Sequence, residues 1–143
     1  MTDQTVRDAM VPDPTRLRGG ETAQEAGRSL ADNPEVRAVL VCEADDAFLG
    51  VITRKTLVRE VVAPGLDPTA VLLRDIAEPP LFTLDASLPL DEAFRTLEDR
   101  DLERVPVVED RRLVGVLSRA VVQRRLAEDE PPAPDPDPGS VVL

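Results

Sequence analysis

The stretch Leu49-Gly50-Val51-Ile52-Thr53-Arg54 decides the fold, because the chain contains a second version of it at Val114-Gly115-Val116-Leu117-Ser118-Arg119. In both versions an apolar segment typical of a β-strand ends in a hydroxyl residue and an arginine, and a helix-like segment follows. A strand that runs directly into a helix leaves backbone N–H groups free at the junction, beside a hydroxyl and a cation. Such a junction suits an anionic group such as a phosphate, so the sequence predicts two related half-sites.

The repeat extends to both sides of these stretches. Arg74-Asp75-Ile76 follows Arg7-Asp8-Ala9 at a distance of 67 positions, and Ala93 and Leu97 follow Ala26 and Leu30 at the same distance. Each unit reads as a short lead-in and then strand, helix, strand, strand and helix. A proline-containing break at residues 64–68 separates the units. We therefore predict a first repeat at residues 1–66, a second at 67–128, and an acidic tail at 129–143.

Local patterns predict where the elements begin and end. Thr22 and Glu25 form a capping-box pattern at the start of the first repeat's helix, and Ser87 takes the N-cap position of its counterpart. The apolar run at residues 38–42 predicts a strand buried on both faces, paired in a hairpin with residues 48–53. Pro106, inside the matching strand of the second repeat, predicts an edge or irregular position. Further strands are predicted at residues 15–18 and 81–84, and helices at 55–62 and 120–127.

Charge and composition exclude several classes of protein. A net charge of −11 argues against binding to nucleic acid or to an anionic membrane surface, although five acidic residues beyond Arg125 account for part of it and leave −6 on the rest. The proline- and aspartate-rich tail is predicted to be stiff and solvated. Because there is no apolar run of membrane-spanning length and no signal-peptide pattern, a cytoplasmic location is expected.

Catalysis is not expected from this sequence. The chain has no histidine, so the commonest general base and metal ligand is absent. It also has no glycine-rich phosphate loop, nucleophile elbow or paired-cysteine motif. The single Cys42 is interpreted as a small buried hydrophobic residue, not as a reactive thiol. Asp45-Asp46 is interpreted as a solvated hairpin tip, because the spacing of a calcium loop is missing.

The duplication also predicts the architecture. A unit of roughly 55 to 60 residues buries too little surface to be stable alone, so the two units should pack on each other. We expect an α+β fold in which two β-α-β-β-α repeats pack sheet to sheet with pseudo-two-fold symmetry. Such an arrangement generates two related clefts at the strand ends.

Taken in order, these motifs resemble the CBS-domain family in its tandem form, over about residues 5–128. The resemblance rests on the lead-ins Val6-Arg7-Asp8-Ala9-Met10 and Leu73-Arg74-Asp75-Ile76, the strand Val105-Pro106-Val107-Val108, and the two glycine-to-arginine endings. It implies a regulatory module that binds an adenosine-type nucleotide (AMP, ADP, ATP or S-adenosylmethionine) in clefts between the repeats, with no required cofactor. It also implies a homodimer stacked through its helices.

The resemblance assigns candidate roles to individual residues. The hydroxyl and cationic residues at the strand ends would meet phosphate: Thr53, Arg54, Lys55, Ser118 and Arg119. Where the family places a ribose-binding aspartate, this chain has Thr56 and Val121, so weak or altered affinity is expected. The apolar residues proposed to line adenine slots are Met10, Val11, Val39, Leu40, Val107 and Val108.

Each assignment has a structural alternative. Thr53 and Ser118 serve equally well as helix N-caps, the two arginines as exposed side chains, and the apolar residues as core. If the clefts have lost their ligand, the chain would instead be a dimeric interaction protein that regulates a partner enzyme or transporter. The missing carboxylates favour this second function, whereas the retained hydroxyl-arginine endings favour nucleotide sensing.

Overall fold

A computed structural model describes residues 4–80 and 82–129 of the chain. Its elements, in chain order, are α1 (Val6–Ala9), β1 (Val11–Pro12), β2 (Arg16–Arg18), α2 (Ala23–Asp32), β3 (Ala38–Cys42), β4 (Phe48–Thr53), α3 (Arg54–Leu57, continued by a π-helix at Val58–Val62), α4 (Leu73–Ile76), β5 (Leu84–Asp85), α5 (Leu90–Asp99), β6 (Arg104–Glu109), β7 (Arg112–Ser118) and α6 (Arg119–Asp129). The predicted order of lead-in, strand, helix, strand, strand and helix is confirmed in both repeats. Residues 130–143 of the predicted tail lie outside the described residues.

Two sheets form the framework of the fold. The first has the order β2-β3-β4, with β2 parallel and β4 antiparallel to β3. The second has the order β1-β7-β6-β5, in which β5 is parallel to β6 and the other pairs are antiparallel. Apart from β1, the two sheets have the same connectivity, so the predicted α+β fold with pseudo-two-fold symmetry is confirmed.

The lead-in of each repeat packs on the other repeat. The Val6 and Arg7 amides of α1 donate to carbonyls of Leu88 and Ala86, at 2.9 and 3.0 Å. In the mirrored exchange, the Leu73 and Arg74 amides donate to Glu21 and Gly19, again at 2.9 and 3.0 Å. Val6 belongs to the core of the second repeat and Leu73 to the core of the first, and both are fully buried. Neither repeat therefore has a complete core without the other's lead-in.

This exchange explains why a glycine recurs in the deciding stretch. A side chain at Gly50 would overlap the Glu78 carbonyl, whose residue bridges to Val51 in the exchanged segment. A side chain at Gly115 would lie 2.8 Å from the Val11 carbonyl oxygen in β1. Both glycines let an incoming backbone lie directly against the strand, which a Cβ atom would prevent.

Two predicted helix caps need correction. Thr22 caps α2 by accepting from the Glu25 amide, but the Glu25 carboxylate pairs with Arg28 and does not complete a capping box. Ser87 is not the N-cap of α5. That position belongs to Pro89, while Ser87 donates its hydroxyl to Asp85 at 2.6 Å in a preceding turn. A side chain that satisfies a local turn is no longer available to cap the helix.

The remaining corrections concern strands. β6 is flanked by β5 and β7, but β5 does not extend to Pro106, so the predicted edge position is found locally and not for the whole strand. The position tolerates proline because β5 pairs only with Val107 and Val108, beyond the proline. In β3, Val39, Val41 and Cys42 are buried whereas Ala38 and Leu40 are half-buried, so burial on both faces was overestimated. The strand predicted at residues 81–84 is shifted to Leu84–Asp85, and Leu81 lies outside the described residues.

The two hairpin tips meet between the repeats. Ala47 bridges to Arg112, and the Phe48 amide donates to the Arg111 carbonyl at 2.9 Å. The second tip is the tighter turn predicted from the sequence, with positive φ angles at Asp110 and Arg111. These contacts place the β3–β4 hairpin of the first repeat beside the β6–β7 hairpin of the second.

Candidate functional site

The strand-to-helix junction of the first repeat is built from two threonines. The Thr53 hydroxyl accepts from the Thr56 amide, and the Thr56 hydroxyl accepts from the Thr53 amide, both at 3.1 Å. The two hydroxyl oxygens are also 2.9 Å apart. This reciprocal arrangement is a capping box, and it leaves Thr56 fully buried. Thr56, at the predicted ribose position, is therefore part of the helix cap in this structure.

Arg54 closes the end of the neighbouring helix. Its guanidinium donates to the carbonyl oxygens of Leu30 and Val36 at 2.6 and 2.7 Å, and to those of Asn33 and Pro34 at 3.2 and 3.4 Å. The last carbonyls of a helix have no partners within the helix, so a cation at this position satisfies them and complements the helix dipole. Lys55, the next residue, is exposed.

A small crevice opens beside this junction. Its volume is about 200 Å³, and it is lined by Thr15, Ser29, Asn33, Val36, Ala38 and Val39. Ala38 lies opposite Thr53 in the β3–β4 ladder, so the crevice and the capped junction lie at the same end of this ladder. We call this cavity the first crevice. It brings Val39 of the predicted adenine slot close to the predicted phosphate residues, whereas Leu40 points to the other face of the strand.

Sequence reasoning missed most of the residues that line the first crevice. Thr15, Ser29, Asn33 and Val36 lie in three different elements or loops, and only their common approach to β3 makes them a site. The 67-position repeat carried a usable signal, because it aligns Thr15 with Phe82 and Asn33 with Arg100. That comparison pairs two polar residues with an aromatic ring and a cation.

At the matching place in the second repeat, those two residues stack on each other. The Arg100 guanidinium lies 4.7 Å from the centre of the Phe82 ring, in the geometry of a cation–π contact. Arg119 pairs with Glu103 and lies 3.4 Å from Asp101, so its charge is used within the chain. The two junctions therefore differ: the first faces an open crevice and the second faces a stacked pair and an ion-pair cluster.

The other predicted site residues are divided between the sheets. Met10 and Val11 approach Gly115 in the second sheet, and Val107 lies opposite the same glycine. Val107 is fully buried, whereas Val108, Ser118 and Val121 are half-buried and Val11 is exposed. Four of the six proposed adenine-slot residues thus belong to the second repeat's sheet, and Val39 and Leu40 belong to the first.

Cys42 and the acidic residues form no metal centre within the described residues. No cluster of three or more potential ligands among histidine, cysteine and acidic residues occurs in that part of the chain. Cys42 is fully buried, and burial raises the pKa of its thiol. A buried thiol with a raised pKa is a weak nucleophile and a weak metal ligand. Across the same residues, no helix has the length and apolarity needed to cross a membrane.

The two repeats correspond to a known protein family. The family model of the CBS domain matches twice, at residues 6–63 and 73–128, and the chain belongs to the CBS-domain family. Hypoxic response protein 1 of Mycobacterium tuberculosis is 30% identical over 124 residues, which cover 87% of this chain and 86% of the relative.

Solved structures agree with this assignment. A crystal structure of Hypoxic Response Protein I with two coordinated zinc ions has a TM-score of 0.70 and 29% identity, covering 85% of this chain and 98% of the other. The structure of CBSX2 in complex with AMP has a TM-score of 0.65 and 22% identity, covering 87% of this chain and 97% of the other. The similarity to CBSX2 supports the fold, and the zinc of the first structure has no matching ligand cluster among the residues described here.

Proposed function

We propose that this chain is a regulatory CBS pair that binds an adenosine-type nucleotide in the first crevice and works as a cytoplasmic homodimer, without catalytic activity. The open first crevice beside the Thr53 junction is the observation that carries the proposal. The Thr53 hydroxyl is followed there by the exposed cations Arg54 and Lys55, and a hydroxyl beside cations at a helix start suits phosphate binding. The adenosine class follows from family membership and from the neighbour that holds AMP.

The affinity should be low for two physical reasons. A volume of about 200 Å³ is below the roughly 300–1,000 Å³ typical of small-molecule pockets, so the site must widen. Arg54 would have to give up its bonds to the Leu30 and Val36 carbonyls to meet phosphate, and this exchange reduces the net gain. Thr56 adds at most one neutral hydrogen bond where a carboxylate would accept two from a ribose.

Only one nucleotide per chain is expected. In the second repeat, the position matching the first crevice holds the Phe82–Arg100 stack, and Arg119 is paired with acidic side chains. Val121 offers no hydrogen bond at the ribose position. A ligand would have to displace an internal contact there without a hydrogen bond to its ribose in exchange.

Isothermal titration calorimetry with AMP, ADP, ATP and S-adenosylmethionine tests the proposal. Arg54→Ala should weaken binding about tenfold or more, because a charge-assisted hydrogen bond contributes roughly 1.5–3 kcal/mol. Arg119→Ala is the matched control, since it removes the same side chain from the other junction, and its affinity should stay within about twofold of the native value. Equal losses in both variants, or none in either, would contradict the assignment to the first crevice.

Thr56→Asp tests the sugar position separately. Aspartate can keep the capping role, because Asp8 takes the same place in the capping box of α1. The added carboxylate should strengthen nucleotide binding about tenfold or more by accepting from the ribose hydroxyls. A correctly folded Thr56→Asp protein with unchanged affinity would show that the ribose lies elsewhere.

A second candidate function is an interaction protein that regulates a partner enzyme or transporter without a nucleotide. It is favoured by the internal bonds of Arg54 and Thr56, which leave the junction satisfied with no ligand. A bound ligand at about 100 times its dissociation constant should add roughly 2.7 kcal/mol of stability. No change in melting temperature with any of the four compounds would favour this second function.

A further inference from the structure

The helical side of the first repeat carries a wide apolar groove. It lies between α2 and the α3–π segment, has a volume of about 650 Å³, and includes Gly27, Leu57 and Val61 in its lining. At its edge, Val62 and Leu66 are 68% and 51% exposed. Apolar surface concentrated in this way indicates a contact face.

The first repeat leaves this space unfilled, whereas the second repeat fills its own. Within 4 Å, a Cβ atom at Gly27 would meet only the Leu57 Cδ1 atom, at 3.9 Å. The residue 67 positions later is Phe94 of α5, which is half-buried and packs against the core of the second repeat. Because the first repeat has no side chain at the corresponding point, an incoming aliphatic side chain can pack over Gly27.

The sequence contains an apolar segment outside the two repeats. This segment is Val141-Val142-Leu143, and it follows a stretch at residues 131–138 that contains five prolines and two aspartates. Such a proline- and aspartate-rich stretch favours an extended chain in water, whereas three consecutive aliphatic side chains favour burial. The composition is that of a solvated spacer followed by an apolar anchor.

The groove suits an acidic spacer as well as an aliphatic anchor. Among its described lining residues Arg28 is the only charged one, and its side chain is 65% exposed. The carboxylate of Glu25, 3.5 Å from Arg28 on the same helix, lies outside the lining. Asp137 precedes Val141 by four positions. A tail seated in the groove therefore brings a carboxylate towards the Arg28 guanidinium and meets no acidic residue in that lining.

The spacer is long enough to reach the groove from the end of α6. Val141 follows Asp129, the last residue of α6, by 12 positions. At about 3.1 Å per residue, a proline-rich chain of this length spans roughly 37 Å. A folded unit of the size described here has a radius of gyration of about 14 Å, so the spacer can cross from one side of it to the other.

We propose that Val141, Val142 and Leu143 of the same chain occupy the groove over Gly27, with residues 130–140 as the solvated connection. An occupant on the same chain needs little affinity, because a short tether gives an effective concentration on the order of millimolar. The contact fastens the end of the second repeat to the helical side of the first. It goes beyond the proposed function and involves no nucleotide, so either can fail without the other.

Disulfide formation within the intact chain tests the contact. Ala31 lines the groove one helical turn from Gly27 and is exposed, so Ala31→Cys with Ser140→Cys places one thiol in the groove and one beside the apolar segment. Glu98→Cys with Ser140→Cys is the matched control, because Glu98 is exposed and takes the same place on α5, 67 positions later. Cys42 is buried and out of reach of the oxidant.

The two pairs of thiols should differ in rate. With glutathione disulfide as the oxidant, the Ala31→Cys pair should form an intramolecular disulfide at least tenfold faster than the Glu98→Cys pair, as followed by non-reducing electrophoresis. Equal rates, or no disulfide in either protein, would overturn the proposal. Disulfides that form only between chains would also overturn it, and would assign the groove to a second copy.

Substitution of the apolar segment separates a seated anchor from a merely tethered thiol. In the Ala31→Cys/Ser140→Cys chain, the triple change Val141→Ser, Val142→Ser and Leu143→Ser should slow disulfide formation about tenfold, because the tether remains and the anchor is lost. In the otherwise native chain the same triple change should speed amide hydrogen exchange at residues 57–66. Ala133→Ser in the spacer should change neither rate. A triple variant that matches its parent in both measurements would show that these residues do not occupy the groove.

Discussion

At the scale of single residues, the Thr53–Thr56 pair stabilises the strand-to-helix junction of the first repeat through its reciprocal hydrogen bonds. Thr56 is fully buried, and its hydroxyl satisfies the Thr53 amide. Thr56→Val keeps the shape but leaves that amide unpaired, which typically costs about 1–3 kcal/mol. We therefore expect urea unfolding to show a loss of about 1–2 kcal/mol.

A second threonine provides the control for this prediction. The Thr69 hydroxyl is also hydrogen-bonded, as it donates to Asp67 at 2.8 Å, but Thr69 is exposed. Thr69→Val should change stability by no more than about 0.5 kcal/mol, since water replaces the lost bond. Equal effects of the two substitutions would mean that burial of the capping box contributes nothing.

The sequence predicts some of these local roles, although not those of Ser87 and Glu25, and it predicts long-range roles poorly. The sequence offers an N-cap as one of two roles for Thr53, because the hydroxyl, the strand before it and the helix after it are contiguous. The partners of Arg54 were not predicted, since its carbonyl acceptors lie 18 to 24 positions away along the chain. Hydrogen bonds of this kind depend on where α2 ends in space, which no local pattern records.

At the scale of elements, the two recurring glycines mark where exchanged lead-ins meet the strands. Gly50 has a φ angle of 151° and lies directly against the Glu78 carbonyl. Gly50→Ala should therefore displace the segment around α4 and cost about 2 kcal/mol or more, in the range of overpacking substitutions. The loss should appear in thermal and urea unfolding alike.

Another glycine supplies the matched control for that substitution. A Cβ atom at Gly20 would meet only the end of the Arg74 side chain, at 3.5 Å. Gly20→Ala should be close to neutral, because a flexible arginine can move aside. If Gly50→Ala were equally neutral, the close approach of the exchanged segment could not be what requires glycine.

The exchange of lead-ins itself could not be read from the sequence. The repeat offset identifies Leu73 as the counterpart of Val6, and both look like core residues of their own repeat. Packing each on its own sheet or on the other sheet satisfies the same hydrophobic pattern. The choice depends on the path of the chain around the pseudo-two-fold axis, so it is decided by tertiary structure alone. The predicted repeat boundary at residues 66–67 stays a prediction for the same reason.

At the scale of the whole molecule, a buried arginine ties the two repeats together at the hairpin tips. The Arg16 side chain is 8% exposed and donates to the Leu113 carbonyl of the second repeat at 3.1 Å. It also lies 3.3 Å from Asp46, which in turn accepts from Arg18 at 2.7 Å. A buried charge needs a partner, and Asp46 supplies one for Arg16. We call this contact of Arg16, Arg18 and Asp46 at the hairpin tips the joint.

The joint should make stability depend on pH in acid. The hydrogen bond from Arg18, and then the charges of Arg18 and Arg16, hold the pKa of Asp46 below its usual value of 3.8. A lowered pKa in the folded state gives stability that is fully present above the unfolded pKa of about 3.9 and is lost as the pH falls through the folded pKa. Hydrogen bonds from Ser87 and Thr69 lower the pKa of Asp85 and of Asp67 in the same direction. The melting temperature should therefore decrease as the pH is lowered below about 4.

Asp46→Asn measures how much of this acid sensitivity comes from the ion pairs of Asp46 with Arg16 and Arg18. Asparagine tolerates the positive φ angle of 68° at this position, so the backbone of the tip is preserved. The variant should be less stable than the native chain at pH 7, and the difference should shrink as the pH falls below 4. Asp99→Asn, an exposed carboxylate at the end of α5, removes the same charge and should leave the pH profile unchanged. A gap between native and Asp46→Asn that stayed constant from pH 7 to pH 2.5 would mean that Asp46 is not the titrating link between the repeats.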